Sequence, residues 1–154
     1  MKQILEIGKD SLRLGGEPFL LVSGSLHYFR ILPGDWKRRL KLAKDFGLTA
    51  IQTYVPWNAH EPRPGEFDFT GMLDLAGYLK AADEAGLKVL LRPSPYICSE
   101  WDFGGLPWWL LRDHPRIALR RTAFAGSAPT IRAKNTARSM TFMEWRKRFG
   151  LSFC

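Results

Sequence analysis

Apolar positions along the first 113 residues fall into two alternating rhythms. One is the short continuous run: Phe19-Leu-Leu-Val-Ser-Gly-Ser-Leu-His27, Thr49-Ala-Ile-Gln-Thr-Tyr-Val55 and Leu87-Lys-Val-Leu-Leu-Arg92. Continuous β-branched and aliphatic runs bounded by turn residues suit strands covered on both faces, so each predicts a buried strand. The other rhythm is helical. After the break at Pro33-Gly34, Asp35 can cap a helix with Trp36, Leu40, Ala43 and Phe46 or Gly47 on one face, and Lys37, Arg38, Lys41 and Lys44 on others. Thr70 is the expected N-cap of a second helix through Ala85, with Met72, Leu75 or Ala76, Leu79 and Ala82 inward and Gly86 as terminator.

Residues 3–7 and 11–14, with the turn at Gly15-Gly16, predict a small entry hairpin, and residues 107–113 a short helix. Strand starts near 19, 49 and 87 with helices between them make three consecutive βα units, the kind that build a parallel sheet by right-handed crossover. The expected class is therefore α/β. Polar, aromatic loops follow each strand, which places them on one face, where both (β/α)8 barrels and open sheets carry their sites. The densest of them is the Pro-, Gly- and Trp-rich stretch at 93–111. A barrel needs eight strands and roughly 200 residues or more. Three units leave either an incomplete barrel or a small open domain.

The rhythm stops after Asp113. From Arg121 onward there is no strand alternation and no aliphatic run, so residues 121–154 are expected to be a poorly ordered tail after a domain at 1–120. Charge divides at the same place. The 154-residue chain carries +8, but residues 1–120 hold 16 Lys+Arg against 14 Asp+Glu, leaving 7 against 1 for the tail. The basicity thus says little about partners of the main domain. Residues 140–154 interleave Phe142, Trp145, Phe149 and Phe153 with Arg146-Lys147-Arg148, compatible with a membrane-surface helix or a nucleic-acid contact. Lacking sustained periodicity, the segment reads better as an unstructured basic tail, so neither nucleic acid nor membrane is expected as a partner.

With 45% hydrophobic and 13% aromatic residues there is ample material for a core. No apolar run approaches the roughly 20 residues of a membrane span, and MKQILEIGKD lacks a signal peptide's continuous apolar region, which predicts a cytoplasmic protein. Cys98 and Cys154 have no metal-ligand spacing and are too few for a disulfide framework, as expected of a reducing compartment. His27 and His60 have no third ligand at suitable spacing. No metal and no cofactor are expected.

Three runs, SGSLHYFR (23–30), QTYVPWNAHEPRPGEFDFTG (52–71) and RPSPYICSEWDFGGLPWWLL (92–111), taken in that order and spacing, resemble the N-terminal part of family 35 glycoside hydrolases, the retaining β-galactosidases. The resemblance covers about residues 3–120. It implies the first three βα units of a (β/α)8 TIM barrel, incomplete here, and an activity that hydrolyses terminal β-D-galactosyl residues. It also implies that Tyr54, Cys98, Ser99 and Glu100 line a galactose site, with a β-galactoside as partner. Ser94 and Ser99 stand where the family usually has glycine and alanine.

The family's catalytic glutamates follow strands four and seven, the first in an Asn-Glu-Tyr-Gly-like run. Here Asn58 and Asn135 are followed by Ala59 and Thr136, and the only carboxylates after Asp102 are Asp113 and Glu144. From Leu119-Arg120 the sequence departs from the family as a frameshift or misjoined frame would make it, and an Asn-Glu-Tyr-Gly-like run in another frame downstream would establish that. The expectation is a fragment carrying part of the sugar-binding wall, with no catalytic residue and no activity alone. The alternative is a non-catalytic carbohydrate-binding protein, or a basic membrane- or nucleic-acid-interacting small α/β protein.

Retaining glycosidases need two carboxyl groups about 5–5.5 Å apart. Of the candidates Glu61, Glu100 and Asp102, the last two flank Trp101 and would point apart in an extended loop. Glu100 is better read as a carboxylate that binds sugar hydroxyls. Periodicity alone reads Tyr54 as a strand-end core tyrosine, and the resemblance reverses that. Trp57, Trp101, Trp108 and Trp109 could form a stacking platform, but adjacent Trp108 and Trp109 cannot share one helix face, so one should enter the core. His27 and His60 read as hydrogen-bonded structural residues, and Cys98 as a small buried one. Glu61-Pro-Arg63 is equally a solvated loop or a functional one. A third strand without a fourth neighbour leaves an open edge, a possible route to self-association.

Overall fold

The computed structural model describes residues 4–93, 95–114, 117–120 and 130–133. Ser94, Cys154 and the proposed interaction segment at 140–154 lie outside the described residues. The chain forms two compact units, one from Met1–Thr53 and Asp74–Leu91, the other from Tyr54–Leu73 and Arg92–Phe153. It is a mixed α/β protein.

The first unit opens with the expected hairpin. β1 (Leu5–Ile7) pairs antiparallel with β2 (Leu12–Leu14), and β2 continues to β3 (Glu17–Pro18). A second three-stranded sheet has the order β4-β5-β6, with β4 (Ser23–Ser25) parallel to β5 (Ala50–Tyr54). The amide of Lys88 at the start of β6 (Lys88–Arg92) donates to Thr49 O at 3.0 Å, bringing the N-terminal ends of β5 and β6 side by side. Helix α1 (Trp36–Asp45) connects β4 to β5, and α3 (Leu75–Glu84) lies between β5 and β6.

β4 is much shorter than the 19–27 run. Ahead of it the side chain of Thr49 intervenes: its hydroxyl donates to Leu20 O at 2.7 Å and accepts from Val22 N at 2.9 Å. A side chain thus takes ladder positions that backbone would otherwise fill, and Leu20 is 75% exposed.

Both helix starts depart from expectation. Asp35 sits at the N-cap of α1 but makes no capping bond; its carboxylate accepts from Arg38 Nε and Nη2 at 3.1 and 3.0 Å. Thr70 does not cap α3. Its amide and hydroxyl both donate to Asp68 Oδ1, at 2.8 and 2.7 Å, and a 3-10 turn over Gly71–Leu73 follows. Asp74 is the cap, accepting from Gly77 N at 2.8 Å, the N3 amide that an aspartate serves well. The later start rotates the buried face to Leu75, Tyr78, Ala81 and Ala82, leaving Met72 exposed. Phe46, past the end of α1, is 83% exposed and not part of its apolar face.

The core of this unit joins an aromatic cluster to aliphatic Leu40, Ile51, Leu75 and Leu87. Tyr28, on a 3-10 turn after β4, lies 5.7 Å from Tyr78, which receives Trp36 edge-on at 5.4 Å. Two of the polar tips reach carbonyls: Trp36 Nε1 donates to Ile31 O at 3.0 Å and Tyr78 Oη to Leu26 O at 2.7 Å. Burial raises the pKa of both tyrosines, keeping them neutral.

The second unit contains α2 (Trp57–His60), α4 (Trp109–Asp113) and the antiparallel pair β7 (Ile117–Arg120) and β8 (Thr130–Ala133). β8 corrects the reading of residues 121–154 as devoid of strands. Its four residues pair in register with β7, Arg120 opposite Thr130 and Ile117 opposite Ala133.

Candidate functional site

All four expected sugar contacts lie in the second unit. Tyr54 is the last residue of β5, and Pro56, which has no amide to donate to a ladder, turns the chain into α2. The segment after it is tied down by Glu61. This carboxylate is fully buried and accepts from Trp57 Nε1 at 2.6 Å and from Gly65 N at 2.9 Å. Its main-chain oxygen accepts from Trp109 Nε1 at 3.1 Å, and the Trp57 and Trp109 rings meet edge to face at 5.7 Å. Glu61 is thus an internal anchor of the loop, which removes it from the candidate catalytic carboxylates.

His60 is also interior. Its Nδ1 lies 2.7 Å from Asp68 O and its ring 4.5 Å from that of Phe69. Burial holds its pKa below 6.5, outweighing the opposing pull of Asp68. It is the hydrogen-bonded structural histidine that its spacing suggested. In the first unit His27 stacks on Phe29 at 5.3 Å.

β6 ends at Arg92, whose guanidinium lies 4.5 Å from the centre of the Tyr54 ring. This cation–π contact restrains the phenol from one face. Side chains then alternate: Ile97 and Ser99 are buried, Cys98 and Glu100 exposed. Glu100 is thus on the exposed side of the loop, and Ser99 directs its side chain inward, leaving mainly its backbone to offer. Cys98 is exposed, which corrects its expected burial, because the period-two alternation set by Ile97 turns it outward.

Glu100 and Asp102 do not flank Trp101 in an extended loop. Glu100 has φ +48° and Phe103 the same value, followed by Gly104 and Gly105 at +60° and +79°. Glycine is required at 104, where a Cβ would collide with the Tyr96 ring. The turn closes on itself, Gly104 N donating to Trp101 O at 2.9 Å and Ile97 N to Gly104 O at 2.8 Å. Asn58 joins α2 to this turn, accepting from Trp101 Nε1 at 2.9 Å and donating to Asp102 O at 3.2 Å.

The tryptophans divide as adjacency demanded. Trp109 is buried; Trp108 is 61% exposed, with Arg112 4.8 Å from its ring centre and its indole donating to Pro62 O at 3.2 Å. Two residues that sequence reasoning did not single out shape the site. Arg92 was marked only by its place at a strand's C-terminal end. Asn58 acts across 43 and 44 residues of sequence, where no local pattern could signal it.

This arrangement can bind a polyhydroxylated ligand by charged and neutral hydrogen bonds. Among the described residues no three His, Cys, Asp or Glu are grouped to hold a metal ion, and no helix is long and apolar enough to cross a membrane. In comparisons with known proteins, a solved β-galactosidase from the psychrophilic Marinomonas ef1 shares the fold with TM-score 0.55 at 19% identity, over 71% of this chain and 16% of that one. The chain is 55% identical to a β-galactosidase of Felis catus over 107 residues, covering 70% of this chain and 16% of the relative. It is 52% identical to β-galactosidase 8 of Oryza sativa subsp. japonica over 114 residues, covering 74% and 17%. It therefore spans about one sixth of the length of these relatives. The model of glycosyl hydrolases family 35 matches residues 11–125, which include both loops described above, and the chain belongs to that family.

Proposed function

We propose that the chain supplies the first three βα units of a (β/α)8 barrel and, on the loops after β5 and β6, one wall of a β-galactoside-binding site. Tyr54, Cys98, Ser99 and Glu100 are the contacts. The observation that carries this reading is the placement of Glu100: an exposed carboxylate on a closed turn, beside outward Cys98, within the region matched to the family. A carboxylate accepts charged hydrogen bonds from two sugar hydroxyls at once, and Tyr54, held by Arg92, adds a phenol. Glu61 is engaged internally, and the sequence has no Asn-Glu-Tyr-Gly-like run. The wall therefore binds without a catalytic pair, and the lone chain does not turn over substrate. β4 and β6 are the outer strands of their sheet, and pairing through them drives self-association.

The test is saturation-transfer NMR of the full chain with methyl β-galactoside and methyl β-glucoside. Transfer to the galactoside that weakens in Glu100→Gln and Tyr54→Phe is expected, with no nitrophenol released from nitrophenyl-β-galactoside above a buffer blank. Turnover abolished by Glu100→Gln would overturn the non-catalytic part of the proposal, and equal transfer to both sugars the galactose part. A clean, stable monomer in the ultracentrifuge would remove the self-association.

A further inference from the structure

We propose that Asn58 is a positioning residue, whose side-chain amide locks the turn between Ser99 and Asp102 into the left-handed backbone state that presents Glu100 to a sugar. The inference rests on the galactoside-binding reading for its ligand, but its conformational half stands on geometry alone.

Glu100 occupies φ +48°, a region where the Cβ of an L-residue crowds its own backbone and which a glutamate avoids unless its surroundings hold it there. What holds it lies on the two residues that follow. The residue after Glu100 is Trp101, whose indole N–H reaches Asn58 Oδ1 at 2.9 Å; the next is Asp102, whose carbonyl accepts from Asn58 Nδ2 at 3.2 Å. An indole can only donate and a carbonyl can only accept, so the two partners agree on one orientation of the amide. No other side chain of this size matches both: aspartate has no donor for Asp102 O, and alanine has neither group.

The clamp is itself rigidly mounted. Asn58 follows Trp57, which is buried and bonded to Glu61, and its helical turn is tied to α4 through Trp109 and the Glu61 carbonyl. A fixed element thus imposes a strained conformation on a loop in which Glu100 is exposed. Preorganisation of this kind saves a ligand the cost of ordering the loop on binding.

Three measurements on the full chain test this. In Asn58→Ala the Cα shift of Glu100 should move away from left-handed values. Hydrogen exchange at the Gly104 amide, which closes the turn on Trp101 O, should rise about tenfold, with exchange in α1 and α3 unchanged. Glycine occupies positive φ freely, so in a Glu100→Gly background the effect of Asn58→Ala on Gly104 exchange should shrink several-fold; this non-additivity is what a purely structural asparagine would not produce. The dissociation constant for methyl β-galactoside should rise about tenfold in Asn58→Ala, equivalent to 1.4 kcal/mol. If that variant fails to fold, Asn58→Asp keeps the acceptor for Trp101 and loses only the donor, and should give the same changes at smaller size. Unchanged Glu100 shifts and Gly104 exchange, or strictly additive effects in the cycle, would overturn the proposal. Absence of galactoside binding by the unsubstituted chain would instead overturn the binding reading, leaving the shift and exchange results to decide the role of Asn58.

Discussion

Glu61→Gln tests whether a buried carboxylate, not the surrounding apolar packing alone, sets the loop after β5. The two carboxylate oxygens each serve a donor, Trp57 Nε1 at 2.6 Å and Gly65 N at 2.9 Å, in a side chain with no exposure to solvent. Glutamine has one acceptor oxygen and one NH2, so one of these two N–H groups must face another donor. Hydrogen bonds to charged groups are worth about 1.5–3 kcal/mol, and a buried donor left without an acceptor costs about 1–3 kcal/mol more. Against this, a neutral amide is easier to bury than an ionised carboxylate. The net expected loss is about 2 kcal/mol, or roughly 4–8 °C in melting temperature for a chain of this length. Urea unfolding followed by tryptophan fluorescence is the natural assay, because Trp57 and Trp109 both bond to Glu61. A Glu61→Gln variant within about 0.5 kcal/mol of the parent, at unchanged denaturant slope, would refute the anchoring role. A Trp57→Phe partner closes the cycle: if the two residues are coupled as the distance implies, the double variant should lose less than the singles add up to.

Three further outcomes are expected. Burial holds the His60 pKa below 6.5, so its contribution to stability is complete above pH 6.5 and is lost as pH falls below that value through the folded-state pKa. His27 acts in the same direction. Melting temperatures from pH 8 to 5 should therefore fall on the acid side, less steeply in His60→Gln, and an identical slope in that variant would rule His60 out as a source. In Tyr78→Phe the carbonyl of Leu26 loses its 2.7 Å donor, which should cost about 1–2 kcal/mol by chemical denaturation; a loss below about 0.3 kcal/mol would mean that water replaces the phenol. Arg92→Ala removes the cation lying over Tyr54, a contact worth about 0.5–1 kcal/mol where exposed. Galactoside affinity should fall by a few-fold, with Arg92→Lys intermediate, and an unaffected affinity would detach Arg92 from the site.

The elements that sequence reasoning located are those whose signal is local. β5 and β6 coincide with continuous apolar runs, and α1 lies where Trp36 and Leu40 recur at helical spacing. Failures arose where a polar side chain had two possible uses. Thr70 and Asp74 are both good caps, and the choice fell to Asp74 because Thr70 is already bonded to Asp68. Thr49 looked like the first residue of a strand, yet its hydroxyl takes over backbone partners around Leu20 and Val22 and shortens β4. The resemblance singled out Tyr54 and residues 98–100 as expected sugar contacts, but which of them is exposed depended on the inward turn of Ile97, which composition does not encode.

The tryptophans carry the same lesson into function. Four of them, in loops facing a candidate sugar site, suggested a stacking platform. The structure uses each differently: Trp57 bonds to Glu61, Trp101 to Asn58, Trp108 to Pro62 O and Trp109 to Glu61 O. Even Trp36, in the other unit, gives its indole N–H to a loop carbonyl. A large apolar body with one donor at its edge is suited to fastening an irregular loop, since it fills volume and satisfies a buried acceptor together. Trp57 and Trp109 meet edge to face inside the second unit, so neither offers its ring to a ligand. On the proposed galactoside-binding reading, recognition falls to the groups these indoles hold in place, Glu100 foremost, and substitution of Trp101 should act on galactoside affinity through the backbone of its neighbour.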